Sequence, residues 1–140
     1  PLVKSKNKKK LIEMLDKGDI DERYYYKQNA YMYKTLKKEI VSKNTVYQWR
    51  RVYVRENKSG ECPTLTANMG TGGHNVPLIK DNLGIRKLTP RECLNFQGFP
   101  KNFNFPHDIP ISQKYKQAGN AVTVNLIKKI AIILKKILNK

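Results

Sequence analysis

The sequence predicts an α+β protein in which a small β-rich lobe is flanked by helices and followed by a C-terminal amphipathic helix. Three stretches carry this prediction. Residues 48–55 alternate with the period of a strand, and residues 56–84 combine turn-forming residues with short extended pieces. Residues 121–138 repeat their apolar side chains with the period of a helix.

The N-terminal part of the chain predicts short helices after a basic segment. Residues 1–10 are polar and lysine-rich, which is typical of a frayed linker, and the absence of a leading Met indicates a piece of a longer protein. Residues 11–15 followed by Gly18 predict a short helix with a glycine stop. A second helix is expected over residues 29–43. Three apolar residues share one face of that helix: Tyr33, Leu36 and Ile40.

Residues 48–55 predict a single β-strand with two different faces, because successive side chains of a strand point to opposite sides. One face carries Trp49, Arg51, Tyr53 and Arg55, and the other carries Arg50, Val52 and Val54. An arginine-rich face on a strand is a candidate surface for reading nucleic acid.

Turn-forming residues organise the middle of the chain. Turns are predicted at residues 56–60, 70–73 and 81–84, and extended pieces are predicted between them at residues 64–67 and 76–79. This region is therefore expected to consist of strands and loops.

A helix start follows the turn-rich region. Thr89 is a suitable N-cap, Pro90 occupies the first helical position, and Glu92 completes a capping box. The helix should run to about Gln97 and stop at Gly98.

Residues 121–138 are the clearest predicted element. Projected at about 100° per residue, the apolar side chains occupy an arc of roughly 160° and four lysines occupy an opposite arc of roughly 120°. The apolar residues are Leu126, Ile127, Ile130, Ala131, Ile133, Leu134, Ile137 and Leu138, and the lysines are Lys128, Lys129, Lys135 and Lys136. An ordinary core helix is expected, and a membrane-surface or calmodulin-type helix is the alternative.

Length and charge narrow the class of protein. The 140 residues suit one domain, and the net charge of +17 favours a polyanionic partner, with nucleic acid first. A solvated lysine-rich surface is the alternative explanation of the charge. The longest aliphatic run, residues 130–134, is too short to span a membrane, and no signal segment opens the chain, so a cytoplasmic protein is expected. Two Cys predict neither a disulfide framework nor a four-cysteine zinc site, and a mixed site of the two Cys and the two His is the alternative that the counts leave open.

Two strings near the C-terminus resemble the last two signature blocks of bacterial DNA cytosine-5 methyltransferases. Residues 86–100 read Arg-Lys-Leu-Thr-Pro-Arg-Glu-Cys-Leu-Asn-Phe-Gln-Gly-Phe-Pro, and residues 115–122 read Tyr-Lys-Gln-Ala-Gly-Asn-Ala-Val. Upstream, residues 48–53 and the Thr-Leu and glycine-rich stretch at 64–73 are similar to the family's target-recognition domain. The order and spacing of these strings argue against coincidence. The resemblance covers residues 46–138, and residues 1–45 are expected to match nothing specific.

The resemblance implies a part in recognising duplex DNA. The implied DNA-contacting residues are Gln48, Arg50, Arg51, Arg55, Thr64, Thr66, Gly70, Gly72 and Gly73, and the implied S-adenosylmethionine contacts are Asn120 and Ala121. Enzymes of this family extrude the target cytosine, and Gln48 stands where the family fills the gap that the base leaves. Arg51 fills the family position for reading guanine edges, and the two threonines are expected to bind phosphates. The glycines are expected to let DNA approach the backbone. For each arginine the alternative is a phosphate contact or a solvated side chain, and for Gln48 it is a surface glutamine.

No catalytic residue is predicted in this chain. The family's nucleophile is a cysteine that follows a proline, whereas here Cys62 precedes Pro63, and Cys93 lies in the capped helix where a small buried cysteine is expected. The family's glutamate before Asn-Val and its glycine-rich cofactor loop have no convincing match. The chain is therefore expected to be inactive alone and to act with the catalytic N-terminal part of a methyltransferase, in the same full-length protein or in a separate subunit.

The resemblance also implies a division of the chain. Residues 1–45 form a basic N-terminal segment with short helices, residues 46–88 a β/loop target-recognition region, and residues 89–140 a hinge helix and the C-terminal amphipathic helix. In the family that last helix packs on the catalytic Rossmann-like domain, so residues 121–138 are expected to dock there or to mediate self-association. The expected function is methylation of cytosine in double-stranded DNA within a bacterial restriction-modification system. The alternatives are a stand-alone basic DNA-binding or regulatory module, and a lipid-surface or partner-binding protein.

Overall fold

Two β-hairpins form the centre of the computed structural model, which describes residues 10–57, 61–71 and 75–139. The first joins β1 (Tyr47–Arg50) to β2 (Tyr53–Glu56), and the second joins β3 (Leu78–Lys80) to β4 (Ile85–Lys87). They combine into one antiparallel sheet with the strand order β2-β1-β3-β4.

Helices precede and follow the sheet, which confirms the predicted α+β class. Among the described residues the helices are α1 (Leu11–Met14), α2 (Tyr33–Glu39), α3 (Pro90–Gln97), α4 (Ile111–Asn120) and α5 (Val124–Leu138). Two 3₁₀ turns, Glu22–Tyr24 and Ala67–Thr71, lie between them in the chain. The linker expected at residues 1–10 lies almost wholly outside the described residues.

The single strand predicted over residues 48–55 was wrong, because the chain reverses at Arg51 and Val52. Arg51 has a positive φ of 55°, and the Val52 N–H donates to the Arg50 carbonyl at 2.6 Å, as in a γ-turn. The register then places Gln48 opposite Arg55. No glycine, proline or asparagine marks this turn, so the alternation of side chains continued through it in the sequence.

The sheet separates two apolar clusters. On one side α2 packs on the sheet through Met32, Leu36, Ile40, Tyr47, Leu78 and Ile85. On the other side the buried residues come from α3, α4 and the loops: Val46, Leu65, Met69, Val76, Ile79, Leu88, Cys93, Leu94, Tyr115 and Ala118. Neighbouring residues of β3 fall in different clusters because successive strand side chains alternate between the two faces. The helix predicted over residues 29–43 is real but shorter, and Leu36 and Ile40 form its buried face as expected.

Helix α3 has the bounds and caps that its sequence predicts. The Thr89 hydroxyl accepts from the Glu92 N–H at 3.1 Å, and the Glu92 carboxylate accepts from the Thr89 N–H at 2.7 Å. Gly98 ends the helix with a left-handed φ of 83°. Cys93 is fully buried in this helix, as its sequence context predicts.

A buried ion pair joins α3 to the sheet. Both guanidinium nitrogens at the end of Arg86 donate to the Glu92 carboxylate, at 2.7 and 2.8 Å, and its Nε donates to Asp81 at 2.7 Å. Glu92 also accepts from the Asp16 N–H at 3.0 Å. The carboxylate therefore connects β4, α3 and the segment after α1, and the chain can bury two charges because they satisfy each other.

The C-terminal region contains two helices where the sequence predicted one. Helix α5 begins at Val124 rather than near residue 121, and α4 was not predicted. The sequence signal for α4 is weak, because it consists only of the helical spacing of Ile111, Tyr115 and Ala118 among polar residues. No residue of α5 is buried, and no helix in the described ranges is long and apolar enough to cross a membrane.

Candidate nucleic-acid interface

A cleft of about 340 Å³ lies between the β1–β2 hairpin and the extended segment that precedes the second 3₁₀ turn. We call it the hairpin cleft. Its lining residues are Gln48, Trp49, Arg50, Arg55, Asn57, Pro63, Thr64, Thr66 and Asn75. The fold thus brings together five predicted site residues that are spread over residues 48–66 of the chain: Gln48, Arg50, Arg55, Thr64 and Thr66. Asn57 and Asn75 were not predicted, because only the fold brings them to the cleft.

The hairpin supplies the basic wall of the cleft. In the antiparallel register Gln48 and Arg55 are direct partners, and so are Arg50 and Tyr53, so that all four side chains share one face. The Arg50 guanidinium donates to the Gln48 side-chain oxygen at 3.1 Å, and both arginines are exposed. Two guanidinium groups beside one amide form a wall suited to phosphate oxygens or to guanine edges.

Arg51 lies outside this wall. The sequence placed it on one face with Trp49 and Arg55, but the structure places it at the exposed tip of the hairpin, next to Val52. The prediction that Arg51 shares a face with Trp49 and Arg55 was wrong, because the turn at Arg51 interrupts the alternation of side chains along the strand. A DNA contact from the hairpin tip stays a prediction.

The threonine segment supplies the opposite wall. Thr64 and Thr66 are exposed, while Leu65 between them is only 8% exposed and packs in the core. This alternation fixes both hydroxyls toward solvent at the cleft. Threonine hydroxyls there can donate to phosphate oxygens.

Gly70 faces the protein rather than the cleft. A Cβ on this residue would lie 2.3 Å from the Ser112 carbonyl oxygen, so glycine is needed for the backbone to pass α4. Gly70 therefore has a packing role within the chain that the sequence did not predict, and its contact with DNA stays a prediction. Gly72 and Gly73 lie outside the described residues.

A second hollow of about 410 Å³ lies beside the turn between α4 and α5, and we call it the turn hollow. Its lining includes Cys62, Thr64, Gln97, Ala121 and Thr123. Asn120 ends α4 and is exposed, and Ala121 is its half-buried C-cap. Of the two residues implied in cofactor binding, Ala121 therefore lines the turn hollow, and Asn120 precedes it in the chain without lining the hollow.

Gln97 fixes this turn, a role that could not be predicted from its position near the end of a helix. Its side-chain nitrogen donates to the carbonyls of Ala118 at 3.3 Å and Ala121 at 3.0 Å. Its oxygen accepts from the Thr123 hydroxyl at 2.8 Å. These partners lie more than twenty residues away in the chain, so only the fold identifies them.

Both cysteines are poor nucleophiles in their surroundings. Burial raises the pKa of the Cys62 thiol to about 12, and burial also raises the pKa of the Cys93 thiol well above its usual range. Thiols with such pKa values remain protonated near neutral pH, whereas the thiolate is the nucleophile. The absence of a catalytic residue from this chain stays a prediction.

Comparison with known families extends the similarity beyond the region that the motifs marked. The model of C-5 cytosine-specific DNA methylases matches residues 2–136. The expectation that residues 1–45 match nothing specific was therefore wrong. That segment carries no compact motif, so its similarity emerges only when the whole chain is compared.

Individual relatives agree with this family match. The chain is 57% identical over 124 residues to Type II methyltransferase M.Bsp6I of Bacillus sp. strain RFL6, covering 88% of this chain and 38% of that protein. It is 31% identical over 119 residues to Type II methyltransferase M.NgoPII of Neisseria gonorrhoeae, covering 80% of this chain and 34% of that protein.

A solved structure shares the fold. The Entamoeba histolytica methyltransferase EhMeth aligns with 96% of this chain and 43% of its own, at a TM-score of 0.66 and 15% sequence identity. The chain spans well under half the length of each of these proteins. Since the family model matches nearly its whole length, the chain belongs to the C-5 cytosine-specific DNA methylase family.

Proposed function

We propose that this chain is the target-recognition and C-terminal part of a DNA (cytosine-5-)-methyltransferase of a bacterial restriction-modification system. The whole enzyme would transfer a methyl group from S-adenosylmethionine to cytosine in duplex DNA. The observation that carries the proposal is the hairpin cleft, which has a basic wall, a hydroxyl wall and an amide between the two arginines. The methyltransferase names of the relatives support the reaction class.

The cleft walls suit a duplex from which one base has been extruded. Arg50 and Arg55 can donate two hydrogen bonds each to guanine or phosphate, and Thr64 and Thr66 can hold the backbone beside the extruded nucleotide. Gln48 lies between the two arginines, where its amide can bond the partner of the flipped base. The chain's contribution is to orient DNA, because Cys93 is buried and the raised pKa of the half-buried Cys62 keeps its thiol protonated near neutral pH.

The cofactor is proposed to bind mainly to the catalytic part. Bound S-adenosylmethionine supplies the methyl group, and this chain offers only Ala121, which lines the turn hollow, and the exposed Asn120 next to it in the chain. A short turn with one exposed amide side chain can complete such a site but cannot enclose it. This arrangement fits a chain that acts together with a catalytic partner.

Helix α5 is proposed as the docking surface for that catalytic part, in the same full-length protein or in a separate subunit. Its apolar face is open to solvent: Ile130 is 39%, Leu134 52% and Ile137 62% exposed. Covering such a side chain fully gains about 1.5–3 kcal/mol relative to exposure. The lysines on the opposite arc would remain in solvent. A second copy of the chain is the alternative occupant of the same face.

The cleft is tested by the affinity of the chain for duplex DNA. Fluorescence anisotropy with a pool of short duplexes of randomised centre gives the dissociation constant for the wild type and for Arg55→Ala. Loss of one arginine contact should weaken binding by roughly 5- to 100-fold. Lys37→Ala removes the same charge from the exposed face of α2, on the other side of the sheet, and should change affinity less than about twofold. Equal losses in both variants would show that net charge, not the cleft, binds DNA.

The docking proposal has its own experiment. The chain is mixed with the N-terminal part of the Bacillus sp. relative, and complex formation is followed by light scattering behind gel filtration. Ile130→Lys should abolish the complex, whereas Lys128→Gln on the opposite, lysine-bearing arc should leave it intact. A wild-type chain that dimerises and ignores the N-terminal part would refute docking and favour self-association.

A further inference from the structure

Helix α4 crosses the threonine segment backbone against backbone. A Cβ on Gly119 would lie 2.1 Å from the Thr66 carbonyl oxygen and 2.6 Å from the Ala67 nitrogen, closer than real Cβ atoms approach. About two turns earlier in the helix, the Ser112 carbonyl oxygen makes a similar approach to Gly70. Two glycines, one on each element, thus bring α4 and residues 66–70 into direct contact.

Gln97 of α3 holds the C-terminal end of α4. The Gln97 side chain, whose residue is 8% exposed, bonds the carbonyls of Ala118 and Ala121 and the hydroxyl of Thr123. A buried amide that satisfies its donors and its acceptor in this way fixes the turn in one conformation. Gly119 contacts the threonine segment, and Ala121 belongs to the turn that Gln97 holds. Both segments are therefore attached at the C-terminal end of α4.

The two proposed binding regions also share a wall. Thr64 lines both the hairpin cleft and the turn hollow. Its neighbour Leu65 packs in the core cluster that contains Ala118 of α4. A displacement of α4 would therefore move the threonine wall of the cleft and the turn beside the hollow together.

We infer that Gln97 and Gly119 are positioning residues that hold Thr64–Thr66 and Ala121–Thr123 as one rigid block. The inference rests on the proposed function for its consequence: the DNA-contacting threonines and the cofactor-side turn are placed as a unit, so a change on one side alters binding on the other. Neither residue lines the hairpin cleft, so any effect of Gln97 on DNA affinity must pass through the block.

Amide hydrogen exchange of the chain alone tests the block directly. The Met69 amide bonds the Thr66 carbonyl at 3.1 Å and reports the threonine side, and the Ala121 amide bonds the Gln117 carbonyl at 3.0 Å and reports the turn. The Tyr26 amide bonds Ile85 at 2.9 Å on the far side of the sheet and serves as the reference for global opening. In Gln97→Met both reporters should exchange about fivefold faster or more, relative to the reference. Faster exchange at Ala121 alone would overturn the inference.

Milder variants keep the test decisive if Gln97→Met opens the whole fold. Thr123→Val removes one hydrogen bond to Gln97 and should accelerate both reporters, whereas Thr123→Ser keeps the hydroxyl and should restore the wild-type rates. Gly119→Ala places a Cβ against Thr66 and should accelerate amide exchange at both reporters by perturbing the threonine segment instead of the turn. Gly18→Ala is the matched control, since a Cβ there meets nothing within 4 Å. Unchanged Met69 exchange in Thr123→Val would contradict the block.

DNA affinity provides the second readout. Gln97→Met should weaken binding to the duplex pool about fivefold, with Thr123→Ser and Gly18→Ala within twofold of the wild type. An unchanged affinity in Gln97→Met would refute the transmitted effect. A wild-type chain that binds no duplex would refute the proposed function, while the exchange data would still decide whether the block exists.

Discussion

Replacing Glu92 by glutamine should be among the most damaging conservative changes in this chain. Glu92 is fully buried and accepts from both terminal nitrogens of Arg86, from the Thr89 N–H and from the Asp16 N–H. Glutamine keeps the shape but offers one oxygen, so its NH₂ group must face donors of Arg86 or Thr89. It also removes the negative charge that balances a guanidinium only 2% exposed.

The expected loss of stability follows from the charge of Arg86, which stays buried after the substitution. Removing one partner of a buried ion pair costs about 3–5 kcal/mol, because the other charge stays uncompensated. Asp81 still pairs with the Arg86 Nε at 2.7 Å and is 24% exposed, which favours the lower half of that range. A domain of this size has a free energy of unfolding of about 5–15 kcal/mol, so about 3 kcal/mol is a large fraction of it.

Urea unfolding measures this loss. Far-UV circular dichroism follows the helices, and fluorescence of the single Trp, Trp49, follows the sheet. With a slope of about 1–3 kcal/mol per molar urea, the midpoint should fall by roughly 1–3 M. Glu39→Gln is the matched control, since its contact with Lys38 spans 4.0 Å between exposed side chains, and it should cost less than about 0.5 kcal/mol. A loss below about 1 kcal/mol for Glu92→Gln would refute the role given to the buried pair.

Three further substitutions test other parts of the fold. Burial raises the pKa of Asp16 above its ordinary 3.8, so its ionisation destabilises the folded state as pH rises through the raised pKa. The free energy of unfolding of Asp16→Asn, relative to that of the wild type, should therefore increase as the pH rises from low values to pH 7. A difference in urea midpoint that did not change with pH would contradict this. Gly98→Ala should cost about 1 kcal/mol or more in the same assay because φ is 83°, and no loss would argue against the left-handed cap. Tyr115→Phe removes a buried hydrogen bond to the Leu88 carbonyl and should cost about 1–2 kcal/mol, and a neutral result would show that this carbonyl finds another partner.

Local signals in the sequence were sufficient for the ends of α3 and for the character of α5. The caps at Thr89 and Gly98 act within one helical turn, and the apolar period of residues 124–138 is long enough to be unambiguous. Such features depend on neighbours in the chain. They can therefore be predicted before the fold is known.

Long-range features could not be predicted in this way. The reversal at Arg51 uses a residue that rarely adopts positive φ, so composition gives no turn signal there. Gly70 and Gly119 are required because of backbone atoms of distant segments, and Gln97 finds its partners only in the folded chain. Motifs singled out five residues that line the hairpin cleft, namely Gln48, Arg50, Arg55, Thr64 and Thr66, but the face that each arginine occupies required the register of the hairpin.

We propose that this chain recognises DNA for a methylation reaction that another part of the enzyme catalyses. The test is transfer of tritium from labelled S-adenosylmethionine to duplex DNA, measured with the chain alone, with the N-terminal part of the Bacillus sp. relative alone, and with the two mixed. We predict cytosine methylation only in the mixture, with Arg55→Ala lowering it. Methylation by the chain alone, or a mixture no more active than its parts, would contradict the proposed function.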